Sequence, residues 1–106
     1  MEGPFPFRQV STYSLDARPG VYILSRDGRT AHYVGRSDTD IGARINSSAA
    51  EGRYSHFWYE YASSPRDAFL KECTYYHQYN PPDNLNHPAV PSGANWRCPV
   101  QGCRWS

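Results

Sequence analysis

The sequence predicts one small α+β domain: a three-stranded mixed or antiparallel sheet flanked by helices, followed by an irregular C-terminal tail. Three observations carry that expectation. Two β-branched and aromatic runs, Val21–Ser25 and Ala31–Gly35, flank Arg26-Asp27-Gly28-Arg29 and read as a β-hairpin closed on an Asp-Gly turn. The run Tyr54–Tyr61 is rich in aromatics, lacks Pro and Gly, and reads as a third strand that covers the hairpin. Ser64-Pro65-Arg66-Asp67 supplies a cap, a proline at the first helical position and an acid in the first turn, so a helix starts there.

The remaining elements follow from local signals. Ser37, Asp38 and Asp40 are N-cap candidates for a helix in which Ile41, Arg44, Ile45 and Ser48 share helical spacing before Gly52 ends it. The later helix runs to about Tyr79 with Phe69, Cys73 and Tyr76 on one face, until Pro81 and Pro82 stop it. Residues Met1–Pro19 hold three prolines and little periodicity, so they read as an irregular arm that packs Phe5, Phe7 and Tyr13 on the domain. Residues 83–106 have no period and read as loop. The whole chain, 1–106, is one domain with its core at about 19–88.

Composition bounds the function. A chain of 106 residues with 39% hydrophobic and 15% aromatic residues, nine of them Tyr, has enough large side chains for one core and is not a disordered segment. Eleven Lys and Arg against ten Asp and Glu leave a formal charge of +1, so no global field draws the protein to nucleic acid and any such contact is local. No apolar run approaches the roughly 20 residues that span a bilayer, and the N-terminus lacks signal-peptide character, so a cytoplasmic protein with no membrane partner is expected. In that compartment three Cys are reduced thiols or metal ligands rather than disulfides.

The tail carries one constellation of its own. Cys73 and His77 are one helical turn apart on the same face, and Cys98-Pro-Val-Gln-Gly-Cys103 places a thiol at each end of a turn-like loop. Together they form a Cys₃His set suited to a structural tetrahedral Zn²⁺, with His87 as a rival to His77.

The hairpin carries another. The triplets Gly20-Val21-Tyr22 and Tyr33-Val34-Gly35, with Arg44 downstream, resemble the signature of the GIY-YIG nuclease family. Taken singly, these residues and Glu72 fit ordinary structural roles; their joint order and spacing carry the resemblance. It implies Mg²⁺- or Mn²⁺-dependent hydrolysis of DNA with one metal, which a single carboxylate can hold while the ion keeps several waters. By that resemblance Glu72 binds the metal, Tyr22 activates the attacking water, Tyr33 and Arg36 orient, and Arg44 holds the phosphate. Asn84 supports the site, with Asn80 and Asn86 as competitors. Relatives commonly carry Tyr or His one turn past the helix arginine, whereas this chain has Ser48; His56 is the residue that would substitute as base or donor. DNA sequence preference is not encoded in any reader motif and would come from DNA shape, a protein partner or the arm. The alternative is a non-catalytic module that binds nucleic acid or protein on the same scaffold with a structural zinc.

Overall fold

The structure is a computed structural model that describes residues 1–8 and 15–105. Its elements are β1 (Glu2–Pro6), β2 (Gly20–Ser25), β3 (Tyr33–Ser37), α1 (Ile41–Glu51), β4 (His56–Tyr61) and α2 (Pro65–Tyr79). The strands form one sheet in the order β1-β4-β2-β3, with every neighbouring pair antiparallel.

β2 is central because Gly-Val-Tyr-Ile-Leu-Ser puts a large side chain on each face in turn. Tyr22 and Leu24 meet Ile41 and Ile45 of α1 together with Phe57. Val21 and Ile23 join Val34 on the other face, where Trp58 and the α2 residues Tyr75 and Tyr76 cover them. The two helices therefore lie on opposite faces of the sheet, and β2 is buried on both. Gly20 is required where α1 crosses: a Cβ there would lie 2.6 Å from Ile41 Cδ1 and 2.7 Å from the Glu60 carbonyl oxygen.

Helix boundaries follow the capping chemistry. Asp40 caps α1 through its Oδ1, which accepts from Ala43 N at 2.9 Å, and Gly52 ends the helix in the left-handed region at φ 70°. Of the other two cap candidates, Ser37 accepts from Asp40 N at 2.8 Å and Asp38 turns to Arg36. Ser64 caps α2 and Pro65 opens it; at the other end Asn80, at φ 45°, forms the left-handed cap just before the two prolines.

Two sequence expectations change. Part of the arm is a fourth strand: β1 pairs with β4, with a bulge between Glu2 and Phe5. Its prolines hid it, yet proline is tolerated on an edge strand, where a missing N–H removes no ladder bond. Phe5 and Phe7 do pack on the domain, each against Phe57 at 5.6 and 5.3 Å between ring centroids; Tyr13 lies outside the described residues. The hairpin is not a tight Asp-Gly turn either. Its loop runs from Arg26 to His32 because Asp27 Oδ1 gathers Arg29 N and Thr30 N, both at 2.8 Å, while Ser25 Oγ accepts from Gly28 N at 2.9 Å. These side-chain acceptors offer the backbone an alternative to the ladder.

Candidate active site

β3 is an edge strand, and its two faces deliver different chemistry to one place. Tyr33 and Gly35 share the α1 face with Tyr22, whereas Arg36, paired with Val21, points to the α2 face. A cavity of about 630 Å³ wraps this edge and is lined by Tyr22, Tyr33, Arg36, Arg44 and Glu72, together with Asp38.

Gly35 makes that arrangement possible. It lies directly opposite Tyr22 in register, and the Tyr22 ring occupies the space where a side chain would be: a Cβ on Gly35 would lie 2.5 Å from both Tyr22 Cζ and Oη. The glycine of the second triplet is thus the seat of the tyrosine of the first. The Tyr22 and Tyr33 rings are 6.4 Å apart between centroids.

Burial pushes the Tyr22 hydroxyl up to about 12, Tyr33 adds to the effect, and Arg44, which hydrogen-bonds it, acts in the opposite sense. Tyr33 is raised too, first by burial and then by the Glu72 charge. Both hydroxyls therefore keep their protons at neutral pH.

The two arginines divide the work. Arg36 is held on every side: Nε donates to Asp38 Oδ1 at 2.9 Å, Nη1 to Glu72 Oε1 at 2.6 Å and Nη2 to the Ala89 carbonyl at 2.7 Å, while its plane lies 5.2 Å over the Phe69 ring. Arg44, exposed on α1, donates to the Tyr22 hydroxyl and is matched by no carboxylate among the described residues. Glu72 is only 7% exposed. Its carboxyl is raised because burial outweighs the Arg36 bond and charge; Arg36 is raised because its two carboxylate partners outweigh its own burial. A carboxylate has about four lone-pair directions, so the Arg36 bond leaves Glu72 acceptor capacity toward the cavity it lines.

Asn84 does not line the cavity. Its Oδ1 accepts from Val34 N at 2.8 Å and its Nδ2 donates to Val34 O at 2.9 Å, so the amide acts as a strand neighbour that closes the free edge of β3 beside Tyr33 and Gly35. Asn80 is the α2 cap. His56 is not brought to the site. It pairs with Ser25 at the hairpin-loop end of the sheet, three positions from the Tyr59 that pairs with Tyr22, and its Nδ1 contacts Ser55 Oγ at 2.7 Å. At about 3.3 Å per residue that is roughly 10 Å along the strand. Ser48 Oγ donates to the Arg44 carbonyl of its own helix at 3.2 Å.

Two partners escaped the sequence reading. Asp38 was visible only as a cap candidate, although a carboxylate two residues from Arg36 was the available signal. The Ala89 carbonyl carried none, being backbone in an aperiodic tail.

The tail forms a second cluster. One donor atom from each of His77, His87, Cys98 and Cys103 falls within 4.8 Å of the other three. His87 thus stands in the group where the sequence suggested Cys73. Cys73 is on the same helix face as His77 but one turn deeper, fully buried with Phe69 and Cys98, and burial raises its thiol strongly. The helix turn that aligns two side chains on a face also sets them at different depths.

No protein-family model matches the chain, and no curated protein matches it in sequence. Solved structures do. The GIY-YIG N-terminal endonuclease domain of UvrC from Thermotoga maritima, bound to its catalytic divalent cation magnesium, superimposes with a TM-score of 0.59 at 21% identity, covering 74% of this chain and 93% of that one. A tyrosine-to-phenylalanine variant of that domain, also bound to its catalytic divalent cation, gives 0.61 at 21% identity with 76% and 96% covered. An asparagine-to-alanine variant gives 0.60 at 19%. The chain has a GIY-YIG-like fold. At these identities the likeness is one of scaffold, and a GIY-YIG-like scaffold places β2, β3, α1 and α2 so that the cavity forms at the β3 edge. Among the described residues no helix is long and apolar enough to cross a membrane.

Proposed function

We propose that the protein is an endonuclease that hydrolyses DNA phosphodiester bonds with one Mg²⁺ or Mn²⁺ ion. The observation that carries this reading is the convergence of Tyr22, Tyr33, Arg36, Arg44 and Glu72 on one cavity. Glu72 suits such an ion, because Mg²⁺ is held by one or two carboxylates and Glu72 lines the cavity with acceptor capacity left over. When bound, the ion supplies Lewis-acid polarisation of the phosphate and a more acidic water.

Arg44 takes a phosphate oxygen, since it is the arginine without a carboxylate partner, and a guanidinium matches that oxygen pair in a fork. Tyr22 accepts the proton of the attacking water. It does so as the phenolate, its own proton having first passed to solvent; Arg44 already opposes the burial that holds the hydroxyl at about 12, and a cation bound beside it would lower it further. Tyr33 orients the water or phosphate beside it. Arg36 fixes Glu72, and Asn84 keeps β3 straight under both.

Supercoiled, branched and single-stranded DNA incubated with Mg²⁺ or Mn²⁺ tests the reading. Cleavage is expected, and both Tyr22→Phe and Glu72→Ala are expected to abolish it while leaving DNA binding. If no substrate is cut, or Glu72→Ala cuts as well as the parent, the catalytic reading fails. One observation favours a non-catalytic binding module: Arg36 already holds Glu72 Oε1 at 2.6 Å, completing the carboxylate's ion pair within the protein. That reading expects DNA binding unchanged in both variants and no cleavage in the parent.

A further inference from the structure

We propose that His77, His87, Cys98 and Cys103 form a structural tetrahedral zinc site that staples the C-terminal tail to α2 and thereby sets the Ala89 carbonyl against Arg36. The proposal holds whether or not the protein cuts DNA.

The donor set fits zinc. Two imidazoles and two thiols form a closed Cys₂His₂ set with no carboxylate, which selects zinc over Mg²⁺ or Ca²⁺. Two thiolates also neutralise the ion, as a site with Cys98 only 2% exposed requires. Zn–S near 2.3 Å and Zn–N near 2.0–2.1 Å put tetrahedral ligand atoms about 3.4–3.8 Å apart. Cys103 Sγ and His87 Nε2 already stand at 3.4 Å, and the whole group, within 4.8 Å, needs a contraction of about 1.0–1.4 Å at most.

The surroundings are oriented as ligands require. His87 Nδ1 lies 2.9 Å from the Pro88 carbonyl, which can only accept, so Nδ1 carries the proton and Nε2 turns a lone pair toward Cys103. Trp105 stacks flat on the His87 ring, 5.0 Å between centroids at 6°. Each sulfur accepts the amide N–H of the second residue after it, Val100 for Cys98 and Trp105 for Cys103. Cys73 is buried with Phe69 and Cys98 beneath the group and stands outside it, a packing neighbour rather than a ligand.

A metal would give this tail an anchor that regular structure does not. Residues 80–105 contain neither helix nor strand, and ordering backbone costs about 1–2 kcal/mol per residue. A structural zinc would add its folding free energy to that of the apolar patch around Phe69, Trp96 and Val100. Ala89 follows His87 by two residues, so the anchor at His87 fixes the carbonyl that receives Arg36 Nη2 at 2.7 Å.

Metal analysis of the purified full chain, and cobalt loading of the same protein, test the site without any variant. One zinc per chain is expected, together with the thiolate-to-cobalt charge-transfer bands and tetrahedral ligand-field spectrum of an S₂N₂ site. Cys73→Ala is expected to keep the metal, and Cys103→Ser or His87→Ala to lose it. A parent protein that takes up no stoichiometric zinc even in excess overturns the site. Loss in Cys73→Ala with retention in His87→Ala overturns the ligand set. Removing zinc with a chelator should speed hydrogen exchange in the tail and shift the Arg36 Nε–H resonance while the β2–β4 ladder stays protected. An unmoved Arg36 signal overturns the coupling.

Discussion

Gly35→Ala is the sharpest probe of how the site is built. The new Cβ would meet Tyr22 Cζ and Oη at 2.5 Å, against 3.4 Å for ordinary contact, so the ring must retreat by about 1 Å. Packing with Leu24, Ile41, Ile45 and Phe57 in the α1-side core holds the body of the ring, so the displacement falls on its hydroxyl end at the cavity. Overpacking of this kind costs about 1–3 kcal/mol, and a reacting group displaced by about 1 Å loses roughly 10²-fold in rate. Urea unfolding should therefore show the stability loss. A single-turnover assay, if the parent cuts DNA, should show the rate loss. The decisive measurement is a double-mutant cycle with Tyr22→Leu, which removes both clashing atoms. The Gly35 φ is not in the left-handed region, so in that background the alanine is expected to be neutral, or to stabilise by about 0.4–1 kcal/mol through the unfolded chain. Equal losses in the two backgrounds, within about 0.5 kcal/mol, would refute the seat-and-ring account.

Asn84→Ala leaves the Val34 N–H and C=O without their partners at the edge of β3, and should cost about 1–3 kcal/mol and accelerate exchange of the Val34 amide. Unchanged Val34 protection would show that another group closes that edge. Asp27 makes the hairpin loop acid-sensitive. Backbone N–H donors from Thr30 and then Arg29 hold its carboxyl well below its ordinary value of 3.8. A depressed folded-state pKa gives stability that is present above the ordinary value and lost as pH falls below it toward the folded one. Denaturation midpoints of the parent should thus fall below about pH 4 more steeply than those of Asp27→Ala; parallel curves would sink the claim.

What could be read from the chain was what acts over a few residues. Alternation in Gly20–Ser25, the Asp40 and Ser64 caps and the Gly52 stop are backbone and capping effects within one turn or one pleat, and they set β2, α1 and α2. The GIY-YIG-like scaffold was legible for the same reason, since its triplets mark two adjacent strands of one hairpin. Tertiary structure decided the rest. Only the fold shows that Arg36 reaches Glu72 across 36 residues, that Asn84 bridges 50 residues to close β3, and that His56 lies at the far end of the sheet. The proline-rich β1 exists because β4 offers it an edge, not because its own residues favour a strand. The choice of His87 over Cys73 likewise depends on the depth of each side chain beneath the tail. Helical periodicity gives the direction of a side chain; its depth depends on what the rest of the chain packs above it.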